Sequence, residues 1–279
     1  IEVHPDYESN GWIYITYSST EGAGDGANTA IMRAKLNNNA LVESEVLYKA
    51  TPNTTRGQHY AGRIAFDSEG YLYFAVGDRG NRDELPQSLG KDGGKIYRLN
   101  DDGSIPSDNP FVGQEGAIEA MYSYGHRNPQ GMTMHPETGK IWSHEHGPRG
   151  GDELNYVEAG KNYGWPVITY GINYNGTPIT DEREREGMEQ PKTYWDPSIA
   201  PSGLDFVTSD LYPAWKGKAI LGSLKFSYLV VIELDGTEVR SRENVLEAIG
   251  RVRNVKQGPD GYIYVGVDGV GIYKIIPED

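Results

Sequence analysis

Apolar and polar residues alternate over short stretches of the chain, and these stretches come in pairs separated by turn residues. A period of two predicts strands with one buried face, because successive side chains point to opposite faces of a sheet. Five pairs share one arrangement: a short strand, a turn rich in Pro, Asp and Gly, and a second strand often rich in Tyr and Val. Each pair predicts a β-hairpin. The hairpins occupy residues 3–18, 65–78, 133–147, 206–224 (the weakest copy) and 256–269.

The spacing of the hairpins predicts the architecture. Their turn glycines lie 44 to 78 residues apart, at Gly11, Gly70, Gly139, Gly217 and Gly261. This leaves room for two further strands after most hairpins, as in the four-stranded blades of a β-propeller. A β-sandwich is the alternative, although its repeats are usually shorter. No linker or low-complexity stretch divides the chain, so we predict a single all-β propeller domain over residues 1–279.

Composition supports a β-rich fold and excludes several functions. The 279 residues include 36 Gly, 16 Pro and 20 Tyr, which is typical of strands connected by many turns. The absence of Cys excludes disulfides, thiol nucleophiles and Cys metal sites, and is compatible with an oxidising compartment. A net charge of −14 argues against nucleic acid or an anionic membrane as a partner. No apolar run approaches the length of a membrane span, so we expect a soluble protein.

Some of the positive charge lies at the turns and strand ends of different hairpins. Arg127, Lys225, Arg251 and Arg253 all occupy such positions. Arg251 and Arg253 are predicted to share one face of an extended segment, because side chains alternate along a strand. Each could be an ordinary surface residue, but several converging cations would repel one another unless an anion lay between them. As a group they favour an anionic ligand.

His59 is the candidate general base. It precedes the second hairpin in "RGQHYAGR", and the unperturbed pKa of histidine lies close to working pH. A hydrogen-bonded loop histidine is the alternative. Asp78 ends the second strand of the same hairpin, where it could orient an imidazole or cap a turn.

Oxygen ligands are concentrated in "EHGPRGGDELN", residues 145–155. The carbonyls of Gly147 and Pro148 and the carboxylates of Asp152 and Glu153 would suit calcium. The spacing is not that of an EF-hand loop, and the carboxylates could equally be turn residues.

These motifs together resemble the soluble pyrroloquinoline quinone (PQQ)-dependent aldose sugar dehydrogenases of the glucose/sorbosone dehydrogenase family. The resemblance runs in order over essentially the whole chain, through "GHRNPQGM", "EHGPRGGDELN", "GKNYGWP", "DGSIPSDNPF" and the "SLK", "RVRNV" and "GPDGYIYV" segments. It implies a six-bladed propeller. Family members carry a further N-terminal segment with the first blade's hairpin and a cofactor-contacting Gln. We therefore expect the N-terminal blade to be missing or incomplete in this chain.

The resemblance also implies roles for individual residues. His59 corresponds to the catalytic base. The backbone carbonyls of Gly147 and Pro148 correspond to ligands of a calcium ion bound to PQQ, and Glu153 and Tyr163 to a second, structural calcium site. The expected PQQ contacts are Arg127, Asn128, Tyr174, Leu224, Lys225, Phe226, Arg251, Val252 and Arg253.

The implied function is oxidation of an aldose at its anomeric hydroxyl, with hydride transfer to calcium-bound PQQ and proton transfer to His59. The electron acceptor would be a quinone or a small redox protein, and we expect a periplasmic or secreted protein. Two other functions stay open: a non-catalytic propeller that binds a protein or glycan, and a calcium-dependent propeller hydrolase. His59, Lys225 and the Arg251–Arg253 pair favour the dehydrogenase, because a binding scaffold does not need them.

Overall fold

The computed structural model describes residues 1–277, and these residues form five antiparallel sheets. In each sheet, strands that follow one another in sequence are neighbours. The first sheet contains β1 (Glu2–Val3), β2 (Trp12–Ser19), β3 (Asn28–Asn37) and β4 (Ala40–Lys49), with the short helix α1 (Tyr7–Asn10) between β1 and β2. The second contains β5 (Ile64–Phe66), β6 (Leu72–Val76), β7 (Lys95–Leu99) and β8 (Met121–Tyr124).

The other three sheets follow the same plan. The third contains β9 (Pro129–Met134), β10 (Ile141–Glu145), β11 (Asp152–Tyr156) and β12 (Thr193–Trp195). The fourth contains β13 (Pro201–Phe206), β14 (Ala219–Ser223), β15 (Leu229–Asp235) and β16 (Glu238–Val245). The fifth has three strands, β17 (Val252–Gln257), β18 (Ile263–Val267) and β19 (Gly271–Ile275).

Each of the five predicted hairpins supplies the first two strands of one sheet, so the hairpin prediction is confirmed. All five turn glycines have positive φ, between 68° and 85°, a region that glycine enters without steric cost. The all-β propeller class of antiparallel blades is confirmed, and four of the five sheets within residues 1–277 have the predicted four strands. The prediction of six blades is wrong for residues 1–277, which form five. The reason is that every blade begins with one recurring hairpin, and the sequence contains five of them.

The described residues group into two compact units. The first unit comprises Ile1–Pro129, Val157–Ile168 and Glu182–Glu189 and holds the first two sheets. The second unit comprises Gln130–Tyr156, Thr169–Asp181 and the described residues from Gln190 onward, and it holds the other three. No helix within residues 1–277 is long and apolar enough to cross a membrane.

Each unit has hydrophobic clusters between its own sheets. In the first, Tyr14 packs edge-on against Phe66, and Phe74 stacks on Tyr97 with ring centroids 4.8 Å apart. In the second, neighbouring residues of β14 enter different clusters: Leu221 packs between the third and fourth sheets, and Ile220 between the fourth and fifth. A strand buried on both faces reads as a continuous apolar run, which explains "AILG" in this otherwise weak hairpin. Fully burying one such side chain is worth about 1.5–3 kcal/mol.

Candidate active site

His59 and Asp78 form a close pair in the first unit. Nδ1 of His59 lies 2.6 Å from Oδ1 of Asp78. The histidine side chain is 17% exposed and the aspartate side chain 2%, so the imidazole reaches solvent while the carboxylate does not. Asp78 lies two residues after the end of β6, and its Oδ1 also accepts a hydrogen bond of 2.7 Å from the backbone N–H of Gly80. The two alternatives for Asp78 therefore both hold: it contacts the imidazole and it caps a turn.

The ionised Asp78 determines which nitrogen of the neighbouring imidazole carries a hydrogen. Burial by itself would raise the pKa of Asp78, but the hydrogen bond and charge of His59 and the N–H groups of Gly80 and Trp165 outweigh it, so that the pKa lies below its ordinary value. An ionised carboxylate only accepts hydrogen bonds. Nδ1 of His59 must therefore carry the hydrogen, which leaves Nε2 as the atom able to accept a proton.

The backbone of His59 is held in an unfavourable conformation by its neighbours. Its φ of 54° lies in the left-handed region, which a histidine occupies only when surrounding contacts impose it. Arg79, which is fully buried, donates to the carbonyls of Gln58 and, at 2.8 Å, of Arg56. Its guanidinium also lies 3.3 Å from the ring centroid of Tyr60. Arg79 thus contacts the residues on both sides of His59 in the sequence. Sequence reasoning missed this role.

The predicted cofactor residues Arg127 and Asn128 lie beside this pair. The backbone N–H of Asp78 donates to the carbonyl of Arg127 at 2.8 Å. At Gly77 a Cβ atom would collide with the carbonyl oxygen of His59 and would come within 3.0 Å of Oδ1 of Asn128. Only glycine permits this close approach. The end of β6 therefore brings the candidate base and two predicted cofactor contacts together.

Trp165 is a second residue that sequence reasoning missed. Its Nε1 donates to Oδ2 of Asp78 at 2.8 Å, and the guanidinium carbon of Arg127 lies 5.4 Å from its ring centroid. The motif "GKNYGWP" drew attention to this stretch, but nothing local to it indicates that the indole reaches an aspartate 87 residues away.

The other predicted cation segments meet in the second unit. Nη1 of Arg251 donates to the carbonyl of Leu224 at 3.3 Å, which places the turn after β14 beside the start of β17. Arg251 and Arg253 both face Asp268, with nitrogen–oxygen distances of 3.5 and 2.7 Å to its carboxylate. The two arginines therefore share a side of the strand, as their spacing predicted.

This cluster has the donors that a polyanionic ligand requires. Lys225, Arg251 and Arg253 are exposed, and the two arginines share the carboxylate of Asp268. The hydrogen bond and charge of Arg253 lower the pKa of Asp268, which keeps it ionised and able to order the two arginines. The cluster fits a ligand with several carboxylates.

The remaining predicted contacts are less uniform. Phe226 is exposed, and its ring centroid lies 4.8 Å from the ammonium nitrogen of Lys225. Tyr174 is 73% exposed, in a loop of the second unit. Leu224 and Val252 are buried, and Val252 packs in the cluster between the fourth and fifth sheets while its carbonyl accepts a hydrogen bond from Ser202. A contact of Val252 with a cofactor would have to be made through its backbone.

Two glutamates of the second unit oppose each other on β10 and β11. Glu145 and Glu153 are direct partners in the strand register, and Nδ2 of Asn155 lies 3.3 Å from a carboxylate oxygen of each. Among residues 1–277, Oδ1 of Asn155 is one of the buried side-chain oxygens without a hydrogen-bond partner. Burial, and then the charge of Glu145, raise the pKa of Glu153 well above its ordinary value. Two enclosed carboxylates beside an unused amide oxygen fit a hard cation such as calcium.

The loop between β10 and β11 is organised by Asp152. Its Oδ1 accepts from the N–H of Gly147 at 2.8 Å, and its Oδ2 accepts from the hydroxyl of Ser198 at 2.6 Å and the N–H groups of Ile199 and Ala200 at 2.8 Å. Of the two alternatives for Asp152, a calcium ligand or a turn residue, these hydrogen bonds favour the turn residue. The expected ligands at Gly147 and Pro148 are backbone carbonyls.

Tyr163, the other residue predicted for the structural calcium site, belongs to the first unit. Its ring stacks on His126 with centroids 4.5 Å apart, and its hydroxyl accepts from the N–H of Glu158 at 2.9 Å. Within the described part of the chain, no group of three or more His, Asp or Glu side chains is placed to hold a metal. A calcium site would thus need backbone carbonyl or amide oxygens in addition to one or two carboxylates.

Comparison with known proteins identifies the family. The family model for glucose/sorbosone dehydrogenase matches residues 1–273. The aldose sugar dehydrogenase YliI of Escherichia coli (strain K12) is 41% identical over 269 residues, which are 95% of this chain and 72% of that protein. A crystal structure of a glucose dehydrogenase superposes with a TM-score of 0.94 at 40% identity, covering 99% of this chain and 81% of the other. The PQQ-bound aldose sugar dehydrogenase of Streptomyces coelicolor gives 0.74 at 28% identity, covering 96% and 74%. The chain belongs to the glucose/sorbosone dehydrogenase family.

Proposed function

We propose that this protein is a PQQ-dependent aldose sugar dehydrogenase in which His59 is the general base. The observation that carries the proposal is the His59–Asp78 pair with Arg127 and Asn128 directly beside it. Membership of a family with a PQQ-bound relative supports the choice of cofactor. Candidate base and cofactor contacts are thus adjacent, as a dehydrogenase requires.

His59 takes the proton of the sugar's anomeric hydroxyl on Nε2. Asp78 holds the Nδ1–H tautomer and stabilises the imidazolium that forms. Arg79 keeps the loop backbone fixed around the histidine, so the imidazole needs little rearrangement when substrate arrives. Positioning of this kind accounts for part of the rate enhancement of enzymes.

The cations bind and orient the cofactor. Lys225, Arg251 and Arg253 neutralise carboxylates of PQQ, and an arginine does so with two parallel hydrogen bonds. By the family resemblance, the further cofactor contacts are Arg127, Asn128, Tyr174, Leu224, Phe226 and Val252. When bound, PQQ supplies the quinone that accepts the hydride, and calcium polarises it.

We propose the calcium ligands from the resemblance of the sequence motifs to the family. The carbonyls of Gly147 and Pro148 bind the ion at the cofactor, and Glu153 and Tyr163 belong to a second, structural site. The raised pKa of Glu153 supports the second assignment, since a cation there would relieve the repulsion with Glu145.

The test is reconstitution of activity. Apo-protein with PQQ and Ca²⁺ is expected to reduce an artificial electron-accepting dye when an aldose is added. Samples lacking PQQ or Ca²⁺ serve as controls. Saturable glycan or protein binding without turnover would instead support a non-catalytic propeller.

We also propose a single domain and a periplasmic or secreted location, with a quinone or small redox protein as electron acceptor.

A further inference from the structure

The side chain and the backbone of Trp165 are both fixed in the first unit. It is buried, its N–H donates to the carbonyl of Gly125 at 2.8 Å, and its carbonyl accepts from the side chain of Gln87 at 2.8 Å. Its indole Nε1 has one donor, and that donor is used on Oδ2 of Asp78. A tryptophan anchored in this way is a rigid support.

The oxygens of Asp78 are divided between different partners. Oδ1 accepts from His59 and Gly80, whereas Oδ2 accepts from Trp165. Without the indole, Oδ2 would lose a fixed donor and the carboxylate could turn about its Cβ–Cγ bond. The orientation of the His59 imidazole therefore depends on Trp165 through the carboxylate.

The ring of Trp165 also supports a cation. The guanidinium carbon of Arg127 lies 5.4 Å from its centroid, within the range of a cation–π interaction. The carbonyl of Arg127 accepts from the N–H of Asp78. One indole thus touches both the partner of the candidate base and a candidate cofactor-binding cation.

We propose that Trp165 is a positioning residue that holds the His59 imidazole and the Arg127 guanidinium in a fixed relation. The roles of those two groups rest on the proposed function, but the linkage itself concerns only this chain. It is therefore tested on cofactor-free protein as well as on the reconstituted enzyme.

The informative variant is Trp165→Phe, which keeps an aromatic ring under Arg127 and removes the N–H. In wild-type protein carrying ¹⁵N-labelled histidine, NMR is expected to show His59 as a single Nδ1–H tautomer. The variant is expected to show a mixture of tautomers. In reconstituted enzyme the kcat of Trp165→Phe should fall about 10–100-fold, the typical effect of removing a hydrogen-bond partner that orients a functional side chain. The KM for aldose and the Kd for PQQ should change little. Trp165→Leu, which also removes the ring, should in addition weaken PQQ binding.

Trp142→Phe is the matched control, since Trp142 is equally buried but lies in the hydrophobic cluster of the third and fourth sheets. It should lower thermal stability and leave the His59 signals unchanged. Unaltered His59 signals and kcat in Trp165→Phe would overturn the proposal, as would a kcat loss that Trp142→Phe reproduces. If Trp165→Phe does not fold, the wild-type indole N–H of Trp165 decides: slow hydrogen exchange supports the bond to Asp78, and fast exchange refutes it. A wild-type protein without aldose oxidation would refute the proposed function, while the NMR result would still decide the linkage.

Discussion

At the scale of the residue, His59 owes its proposed role to contacts rather than to its own chemistry. Asp78 selects its tautomer, and Arg79 encloses the backbone on both sides of it. The surroundings of His135 are different: it packs against Phe206, and burial lowers its pKa. The same residue type therefore serves in the core at one position and is placed for proton transfer at another.

Replacement of His59 by Gln should separate chemistry from cofactor binding. Glutamine keeps polarity and similar bulk but cannot take the proton, so kcat at saturating PQQ should fall by roughly 10²–10⁴. The Kd for PQQ should change little, because the cations are intact. His135→Gln is the control and should leave kcat unchanged. Near-normal turnover of His59→Gln would identify another base, and Asp78 would be tested next.

Replacement of Lys225 or Arg253 by Met should have the opposite effect. Either change removes a proposed PQQ-binding cation and should raise the Kd for PQQ, with the remaining holoenzyme still partly active. Arg240→Met is a suitable control, because Arg240 is an exposed arginine on β16 paired with Asp235. PQQ titrations compare the three variants. Equal effects of all three would mean that net charge, and not this cluster, governs binding.

At the scale of the element, strand pairing places some charges where they are unfavourable. Glu145 and Glu153 face each other across β10 and β11, and like charges at directly opposed positions destabilise a sheet. Lys95 on β7 is fully buried, and its ammonium donates to the carbonyls of Leu85, Pro86 and Gly93. Strand register creates the first of these environments, and the loop between β6 and β7 creates the second.

The opposed glutamates predict how stability responds to calcium. A chelator should lower the Tm of the wild-type protein and Ca²⁺ should restore it, because a metal that binds only the folded state stabilises it. Glu153→Gln should abolish this response. Without metal the variant should melt above the metal-free wild-type protein, since the repulsion with Glu145 is gone. Calorimetry with and without chelator measures both effects. A wild-type Tm that does not change when chelator is added would contradict the structural calcium site.

The buried Lys95 leads us to expect that the free energy of unfolding rises with pH. Burial lowers its pKa to about 7 in the folded protein, from an ordinary value near 10.5. Between these two values the unfolded chain binds the proton and the folded chain does not. The free energy of unfolding should therefore increase with pH by up to about 1.4 kcal/mol per pH unit. Below pH 7 the charge is present in both states and this contribution to the slope disappears.

Denaturant titrations between pH 7 and 9.5 test this effect. Lys95→Met should lack the slope, whatever its overall loss of stability. Lys91→Met is the control, since Lys91 is an exposed lysine in the loop between β6 and β7 and pairs with Glu84. Parallel pH profiles for wild-type protein and Lys95→Met would show that the buried ammonium does not titrate in this window.

At the scale of the whole molecule, the two compact units are not consecutive pieces of chain. The first unit takes Val157–Ile168 and Glu182–Glu189 from the middle of the second unit's sequence. Boundaries between independent domains usually fall in single linkers with few crossings. One domain over residues 1–279 stays a prediction.

A single domain should unfold in one transition. Thermal unfolding followed by far-ultraviolet circular dichroism should coincide with unfolding followed by tryptophan fluorescence. The circular dichroism spectrum should be that of a β protein with very little helix. Two separate transitions would show that the units unfold independently, and a strongly helical spectrum would contradict the fold.

The sequence by itself determined the hairpins, the blade type and the family. Period-two alternation and a turn glycine are local properties, so each hairpin could be located from a short window. The shared side of Arg251 and Arg253 followed from the same periodicity. Motifs such as "GHRNPQGM" preserve residue order, which identifies a relative without any knowledge of contacts.

Only the tertiary structure decided how the candidate site is assembled. The carboxylate of Asp78 meets an imidazole 19 residues away and an indole 87 residues away, and no periodicity relates these positions. It also showed that Asp152 is a turn residue and that Glu145 opposes Glu153, because hydrogen-bond partners and strand register are set by packing. Local pattern specifies the strands, whereas the environment of a charged group depends on everything that folds around it.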